Sequence, residues 1–149
     1  LLDLYCGIGT IGISIATPET KLVGVEIVPS AVECAKENAK RNGIHNARFF
    51  CDDAAGAARR LAAEGLRPDV IVLDPPRKGC EASLFDTIAE MAPERVVMIS
   101  CNSATAARDA AILCEKGYRV DRLQAVDMFP RTRHVETVVL LSRETVERQ

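Results

Sequence analysis

The chain has 149 residues, enough for one domain with a sizeable core. Hydrophobic residues make up 48% and charged residues 27%, the balance of a soluble globular protein, and we find no apolar run of membrane-spanning length and no signal peptide. The net charge of −2 argues against a free-standing nucleic-acid binder, because phosphate contacts favour a basic surface.

Strand and helix signals alternate along the whole chain. This βαβα order predicts an α/β fold, with a mostly parallel seven-stranded sheet flanked by helices. The predicted elements, in chain order, are a strand at Leu1–Tyr5, a helix near Thr10–Ala16, a strand at Leu22–Glu26, a helix from Pro29 to a stop at Gly43, a strand at Ala47–Phe50, an Ala-rich helix to about Glu64, a strand at Val70–Asp74, a helix at Ser83–Met91, a strand at Val96–Ser100, a helix at Ala104–Lys116 and two final strands at Tyr118–Met128 and Val135–Leu141.

A glycine loop follows the first predicted strand. Gly7, Gly9 and Gly12 satisfy G-x-G-x-x-G, and Glu26 ends the second strand. This layout suits a dinucleotide-binding fold, so a nicotinamide-dependent dehydrogenase is one alternative. Asp3, four residues before the first glycine, gives instead an acid-x-x-x-Gly-x-Gly arrangement that resembles the first motif of S-adenosylmethionine methyltransferases. A plain strand–turn–helix corner is the remaining interpretation.

Three chemically active side chains stand at the ends of predicted strands. Asp74 ends one apolar run, Cys101 follows another, and Glu136 lies in the last apolar stretch. The carboxyl edge of an open α/β sheet is where ligands bind. A thiol and a carboxylate at this edge indicate covalent catalysis with proton abstraction. The alternatives are a buried packing cysteine, a turn aspartate and a solvated glutamate on an edge strand.

The six cysteines are scattered and form no C-x-x-C pair, so neither a zinc site nor a disulfide framework is predicted. Reduced thiols in a cytoplasmic protein are the simplest interpretation. Apart from Cys101, we interpret the cysteines as packing residues, with Cys6 near the glycine loop.

With these residues assembled, the chain resembles the catalytic domain of the RNA uracil-C5 methyltransferases, which make 5-methyluridine in 23S ribosomal RNA and tRNA. The resemblance covers essentially the whole chain and is greatest to the 23S rRNA enzymes. Its most specific segments are Ser100-Cys101-Asn102 and His134-Val135-Glu136; the others are Asp3 to Gly9, Gly24 to Glu26, Asp74 to Gly79, Thr105 with Arg108-Asp109, and Phe129-Pro130. Ser103 is a departure, because the family usually has proline there.

The resemblance implies a Rossmann-like class I methyltransferase fold and S-adenosyl-L-methionine as the cofactor. Cys101 would be the nucleophile that attacks carbon 6 of uracil, and Glu136 the base that takes the carbon-5 proton. Glu26 would accept from the ribose hydroxyls and Asp53 would meet the adenine amino group. The implied cofactor-binding residues are Tyr5, Gly7, Gly9, Thr10, Glu26, Asp53 and Asp74.

The implied partner is RNA, with ribosomal RNA favoured over tRNA, and we expect a cytoplasmic monomer with no membrane contact and no metal. Arg77, Lys78, Arg131, Arg133 and His134 could receive RNA phosphates, whereas Arg108 and Asp109 are interpreted as a helix-surface or loop-bracing pair. Because the sequence starts inside a strand, we interpret residues 1–149 as one catalytic domain cut from a longer protein, without its RNA-binding parts. A methyltransferase for another substrate and a cofactor-binding module without catalysis remain open at this point.

Overall fold

The computed structural model describes residues 1–144 and contains the predicted alternation of strands and helices. The strands are β1 (Leu2–Leu4), β2 (Leu22–Glu26), β3 (Ala47–Cys51), β4 (Val70–Leu73), β5 (Arg95–Ser100), β6 (Tyr118–Val126) and β7 (Glu136–Arg143). The helices are α1 (Thr10–Ile15), α2 (Pro29–Arg41), α3 (Ala54–Ala63), α4 (Ala82–Met91) and α5 (Ser103–Glu115).

The seven strands form one sheet in the order β3-β2-β1-β4-β5-β7-β6. The first five pair in parallel, while β7 runs antiparallel to both β5 and β6. The predicted Rossmann-like architecture is therefore confirmed, and the two final strands pair with each other as an antiparallel hairpin. One edge of the sheet consequently holds the carboxyl ends of the five parallel strands together with the amino end of β7.

Helices cover both faces of the sheet and form two apolar clusters. The larger cluster packs α3, α4 and α5 against one face, around fully buried side chains such as Phe85, Leu84 and Leu113. The smaller cluster packs α1 and α2 against the other face of β2 and β3, with Val32 and Ala35 at its centre. In parallel strands covered on both faces, apolar runs such as Val70–Leu73 are expected. Among residues 1–144, no helix has the length and hydrophobicity needed to cross a membrane.

β2 has its predicted bounds, whereas the other six strands differ by one or two residues at one or both ends, with the largest total differences at β1, β6 and β7. β1 stops at Leu4 because Tyr5 takes a left-handed backbone conformation with φ 65°, which an extended strand cannot contain. β6 ends at Val126, two residues early, and β7 begins at Glu136 and continues to Arg143. The shift at β7 places Glu136 at the first position of its strand.

The interpretation of five cysteines as packing residues is correct for two of them. Cys6 and Cys80 are buried, but Cys34, Cys51 and Cys114 are exposed. Cys34 and Cys114 lie on the solvent side of helices, and Cys51 ends the edge strand β3. All six thiols are free.

Candidate active site

The carboxyl edge of the sheet brings Asp74, Cys101 and Glu136 to neighbouring strands. Asp74 follows β4, Cys101 follows β5, and Glu136 opens β7. The last register pair of β5 and β7 joins Ser100 to Thr137, so Cys101 and Glu136 are the next residues beyond it on either strand. The antiparallel pairing thus brings Cys101 and Glu136 to the same part of the sheet edge, as the strand-end positions in the sequence indicate.

The carboxyl groups of Asp74 and Glu136 lie close enough to influence each other. The pKa of Asp74 is raised above its ordinary value, first by burial and then by the negative charge of Glu136. These two carboxyl groups and the free thiol of Cys101 form a cluster at one edge of the sheet that is suited to proton transfer.

The backbone around Cys101 is fixed by side-chain hydrogen bonds. The Ser100 hydroxyl donates to the Asn102 carbonyl at 3.0 Å and accepts from the Asn102 N–H at 3.1 Å. Asn102 also caps α5, because its side-chain oxygen accepts from the Ala104 N–H at 3.1 Å. Cys101 is half-buried and stands directly before this cap, where the positive end of the helix dipole favours negative charge.

A cavity of about 420 Å³ opens beside this cluster and falls within the usual range for small-molecule sites. It reaches from the end of β2 to the loop after β4, and its wall includes Tyr5, Glu26, Asp53 and Asp74. The structure therefore brings together four of the seven residues expected to bind the cofactor.

Backbone N–H groups hold both carboxylate oxygens of Glu26, in the wall of the cavity. Its Oε2 accepts from the Gly7 N–H at 3.0 Å, and its Oε1 accepts from the Val28 N–H at 2.9 Å. Each oxygen keeps a further lone pair that can accept from a ligand hydroxyl. The glycine loop therefore contributes through the backbone of Gly7, which orients the Glu26 carboxylate.

Three other residues expected to bind the cofactor, Asp53, Thr10 and Gly9, have different positions relative to the cavity. Asp53 is the N-cap of α3 and uses Oδ1 to accept from the Gly56 N–H at 2.7 Å. Thr10 starts α1 and lies on a separate shallow depression with Ile8 and Asn38. Gly9 is the buried cap of α1 and is not among the residues that line the cavity. A glycine pattern alone could not show this, because it does not reveal which side of the loop faces a ligand.

Asp3 belongs to the acid-x-x-x-Gly-x-Gly motif, and in the structure its carboxylate holds the glycine loop. It is 1% exposed, and its Oδ2 accepts from the Gly12 N–H at 2.9 Å. Within the described chain its Oδ1 has no hydrogen-bond partner. A Cβ on Gly12 would lie 2.7 Å from Oδ2, so glycine is required at this position. Burial raises the pKa of Asp3 to about 6, with Gly12 lowering and Asp74 raising it to a smaller extent.

Basic side chains occur in the loop after β4 and in the loop before β7. Arg77, Lys78, Arg131 and Arg133 are exposed, and none forms an ion pair with a carboxylate among residues 1–144. Arg77 lies 3.4 Å from Nδ1 of the half-buried His134, which joins the loop after β4 to the loop before β7. Over the same residues, no group of histidine, cysteine and carboxylate side chains is arranged to hold a metal ion.

Comparison with known proteins gives a consistent family. A family model described as tRNA (Uracil-5-)-methyltransferase matches residues 1–144. Uncharacterized RNA methyltransferases of Clostridium acetobutylicum and Bacillus cereus are each 50% identical over 143 residues, which cover 96% of this chain and 31% of those proteins. The chain thus spans about a third of the length of these curated relatives.

Solved structures agree with this result. The tRNA (uracil-54, C5)-methyltransferase of Pyrococcus abyssi, solved in complex with S-adenosyl-L-homocysteine, is 36% identical with a TM-score of 0.79 over 94% of this chain and 33% of that one. An S-adenosylmethionine-dependent methyltransferase of Agrobacterium tumefaciens has a TM-score of 0.73 at 19% identity, over 96% of this chain and 55% of that one, and shows the fold alone.

Proposed function

Because this chain belongs to the tRNA (uracil-5-)-methyltransferase family, we propose that it is the catalytic domain of an RNA methyltransferase that methylates carbon 5 of a uridine. The observation that carries the proposal is that Cys101 and Glu136 both lie directly beyond the last register pair of β5 and β7, Ser100 with Thr137, near the cavity that Glu26 and Asp74 line. Family membership argues against the dehydrogenase alternative, for which this thiol and carboxylate would have no use.

The proposed role of Cys101 is to activate carbon 5 of the uracil ring as a nucleophile. Carbon 5 is too weak a nucleophile to take a methyl group unaided, and addition of the Cys101 thiolate at carbon 6 gives an enolate with charge on carbon 5. The bound S-adenosylmethionine supplies a sulfonium methyl group to that carbon. Covalent catalysis of this kind divides one difficult reaction into easier steps.

Glu136 completes the reaction by accepting the proton from carbon 5. The electrons of that C–H bond restore the ring double bond and expel Cys101 as a thiolate, which breaks the bond between Sγ and carbon 6. The geometry supports this role because Glu136 is the first residue of β7, a strand paired on both sides, and precedes Thr137, the register partner of Ser100.

The cavity fits S-adenosylmethionine in size and in the chemistry of its wall. Glu26 presents free lone pairs where the ribose hydroxyls would donate, and Asp53 has a second carboxylate oxygen for the adenine amino group. Tyr5 and Asp74 also line the cavity, and Asp74 follows β4, the strand next to β5, after which Cys101 stands. The Pyrococcus relative, which was solved with S-adenosyl-L-homocysteine, supports this cofactor.

The exposed cations near the site are suited to RNA phosphates, which position a substrate without specifying its sequence. The target base must leave its stack to reach a half-buried thiol. A chain with net charge −2 offers few other phosphate contacts, so further RNA affinity would come from outside these residues.

Two RNA classes are candidates for the substrate. The sequence segments resemble the 23S rRNA enzymes most, whereas the solved relative carries tRNA in its name. Mapping 5-methyluridine in both RNAs from a strain that lacks the gene decides between them. Loss from 23S rRNA alone supports our first choice, and loss from tRNA alone overturns it.

Trapping tests the proposed chemistry. RNA with 5-fluorouridine at the target has no carbon-5 proton to remove, so the adduct should persist when the full-length protein and S-adenosylmethionine are added. Digestion and mass spectrometry should then find the nucleotide on the peptide that contains Cys101. An adduct on another peptide, or normal turnover of unmodified RNA with no adduct, would contradict the proposal.

A further inference from the structure

The loop between β4 and α4, residues 74–81, has one side in the cavity and the other against α5. Asp74, Pro76, Lys78, Gly79 and Glu81 line the cavity. On the opposite side, the loop backbone contacts a row of polar side chains near the start of α5. Whatever holds this loop to α5 therefore also shapes the cavity.

Asp109 is the centre of this contact. Its side chain is 1% exposed, and Oδ2 accepts from the Cys80 N–H at 2.9 Å. Oδ1 accepts from Arg108, at 2.8 Å from Nε and 2.5 Å from Nη2. A buried carboxylate is stable only when its oxygens are paired, and both oxygens of Asp109 are.

Three further side chains of the α5 region hold the neighbouring carbonyls. Arg108 Nη2 donates to the Lys78 carbonyl at 3.1 Å. The Thr105 hydroxyl and the Asn102 amide both donate to the Arg77 carbonyl, at 3.4 and 3.3 Å. The loop is thus attached at Arg77, Lys78 and Cys80.

Gly79 shows how closely the loop approaches this pair. Its φ is +80°, in the left-handed region that favours glycine. A Cβ at this position would lie 2.6 Å from Oδ2 of Asp109 and would overlap the Arg108 guanidinium. Any larger residue would push the loop away from α5 and toward the cavity.

Cys80 continues the connection to the cavity. Its own pKa is raised to about 12, mainly by burial and next by the charge of Asp109. The pKa of Tyr5, which lines the cavity with a strained backbone, is raised by burial and then by the neighbouring Cys80. The backbone of Cys80 is thus bonded to Asp109, and its thiol lies near Tyr5, a half-buried residue of the cavity wall.

We propose that Asp109, with Arg108, is a positioning residue that fixes the 74–81 loop as the cavity wall and keeps it in register with Cys101. The loop and Cys101 are linked because α5 begins at Ser103, two residues after Cys101. The same helix therefore follows the nucleophile and carries Arg108 and Asp109, which hold the 74–81 loop. This inference rests on the proposed function for the ligand that fills the cavity.

The test uses the full-length protein, with binding of S-adenosylhomocysteine measured by calorimetry and folding by thermal melting. Asp109→Ala removes both pairings and should weaken binding at least tenfold. Asp109→Asn keeps an acceptor for the Cys80 N–H and should lose less, and Arg108→Ala, at a half-exposed side chain, should weaken binding at least threefold.

Leu113→Ala is the matched control. Leu113 is fully buried on the same helix, but it packs in the hydrophobic core and makes no hydrogen bond to the loop. Its truncation should lower the melting temperature while binding stays within twofold of the original protein.

Two results would overturn the inference: unchanged binding in Arg108→Ala and Asp109→Asn, or an equal loss of binding in Leu113→Ala, which would mark a general effect of stability. If Asp109→Ala does not fold, the other two variants decide the question. Failure of the unaltered protein to bind S-adenosylhomocysteine would instead contradict the proposed function itself.

Discussion

Cys101 and Glu136 both lie directly beyond the last register pair of β5 and β7, in which Ser100 faces Thr137. One strand ends where the other begins, so the antiparallel pair holds Glu136 on β7 and holds Cys101 one residue beyond the end of β5, at the same edge. Central strands hold side chains more precisely than loops do, and catalysis depends on such precision. The geometry of β5 and β7 is therefore the basis of the proposed chemistry.

Glu26→Ala should weaken the binding of S-adenosylhomocysteine by roughly 1–3 kcal/mol, the usual loss for a hydrogen-bonded charged partner. The variant also frees the N–H groups of Gly7 and Val28, which now donate to this carboxylate. Glu33→Ala, on the exposed side of α2, is the control and should bind normally. Unchanged affinity in a calorimetric titration of Glu26→Ala would remove Glu26 from the cofactor site.

Much of this fold follows from the sequence, and the residues show why. β2 was predicted at its observed bounds because Leu22 to Glu26 is an apolar run with clear turn signals on both sides. β1 was overextended, since nothing in the residue type of Tyr5 announces a positive φ. The order of strands in the sheet also has to come from the structure.

The site was predicted in part for a similar reason. Strand-end positions identified Asp74, Cys101 and Glu136, because parallel strands share an edge. Thr10 was expected in the cavity and lies on another surface, which depends on the direction in which α1 leaves its loop. The burial of Asp109 and its bond to Cys80 come from contacts between residues 29 positions apart, which local patterns do not encode.

Ser103→Pro should stabilise the chain by about 0.4–1 kcal/mol, because proline restricts the unfolded chain at a site that already suits it. Ser103 is the first residue of α5, where proline is favoured, and Asn102 has the extended conformation (φ −136°, ψ 103°) that precedes proline. Urea unfolding measures the change. Ala107→Pro, in the exposed interior of the same helix, should instead destabilise by about 3 kcal/mol. A loss of stability in Ser103→Pro would mean that its N–H is needed.

Asp3 should make stability depend on pH in an unusual direction. Its folded pKa of about 6 lies above the ordinary 3.8, so the folded state holds the proton more tightly than the unfolded state. The contribution of Asp3 to the free energy of unfolding is then fully present below pH 4. It is lost as the pH rises through 6, which lowers the free energy of unfolding by up to roughly 3 kcal/mol.

Asp3→Asn should abolish that decline, since an amide does not titrate and its oxygen can still accept from Gly12. Urea unfolding at pH 4, 5, 6 and 7 measures it. Glu90→Gln, at an exposed carboxylate on α4, should leave the decline intact. An unchanged pH profile in Asp3→Asn would assign the effect to other groups.

Arg131→Ala and Arg133→Ala should each weaken RNA binding and reduce the salt dependence of the binding constant by about one phosphate contact. Both side chains are exposed beside the site and unpaired within residues 1–144. Binding of the substrate RNA by the full-length protein is measured across a series of salt concentrations. Lys40→Ala, on α2 near the opposite edge, is the control. An unchanged salt slope in both arginine variants would place the RNA elsewhere.

The central claim is that Cys101 attacks the uracil and Glu136 releases it, and denaturing gel electrophoresis of full-length variants with labelled RNA tests it most directly. Glu136→Gln permits attack and methyl transfer but cannot take the carbon-5 proton, so a stable protein–RNA band should accumulate. Cys101→Ala and the double variant should give no band and no product. A band that survives Cys101→Ala, or full turnover by Glu136→Gln, would contradict the account.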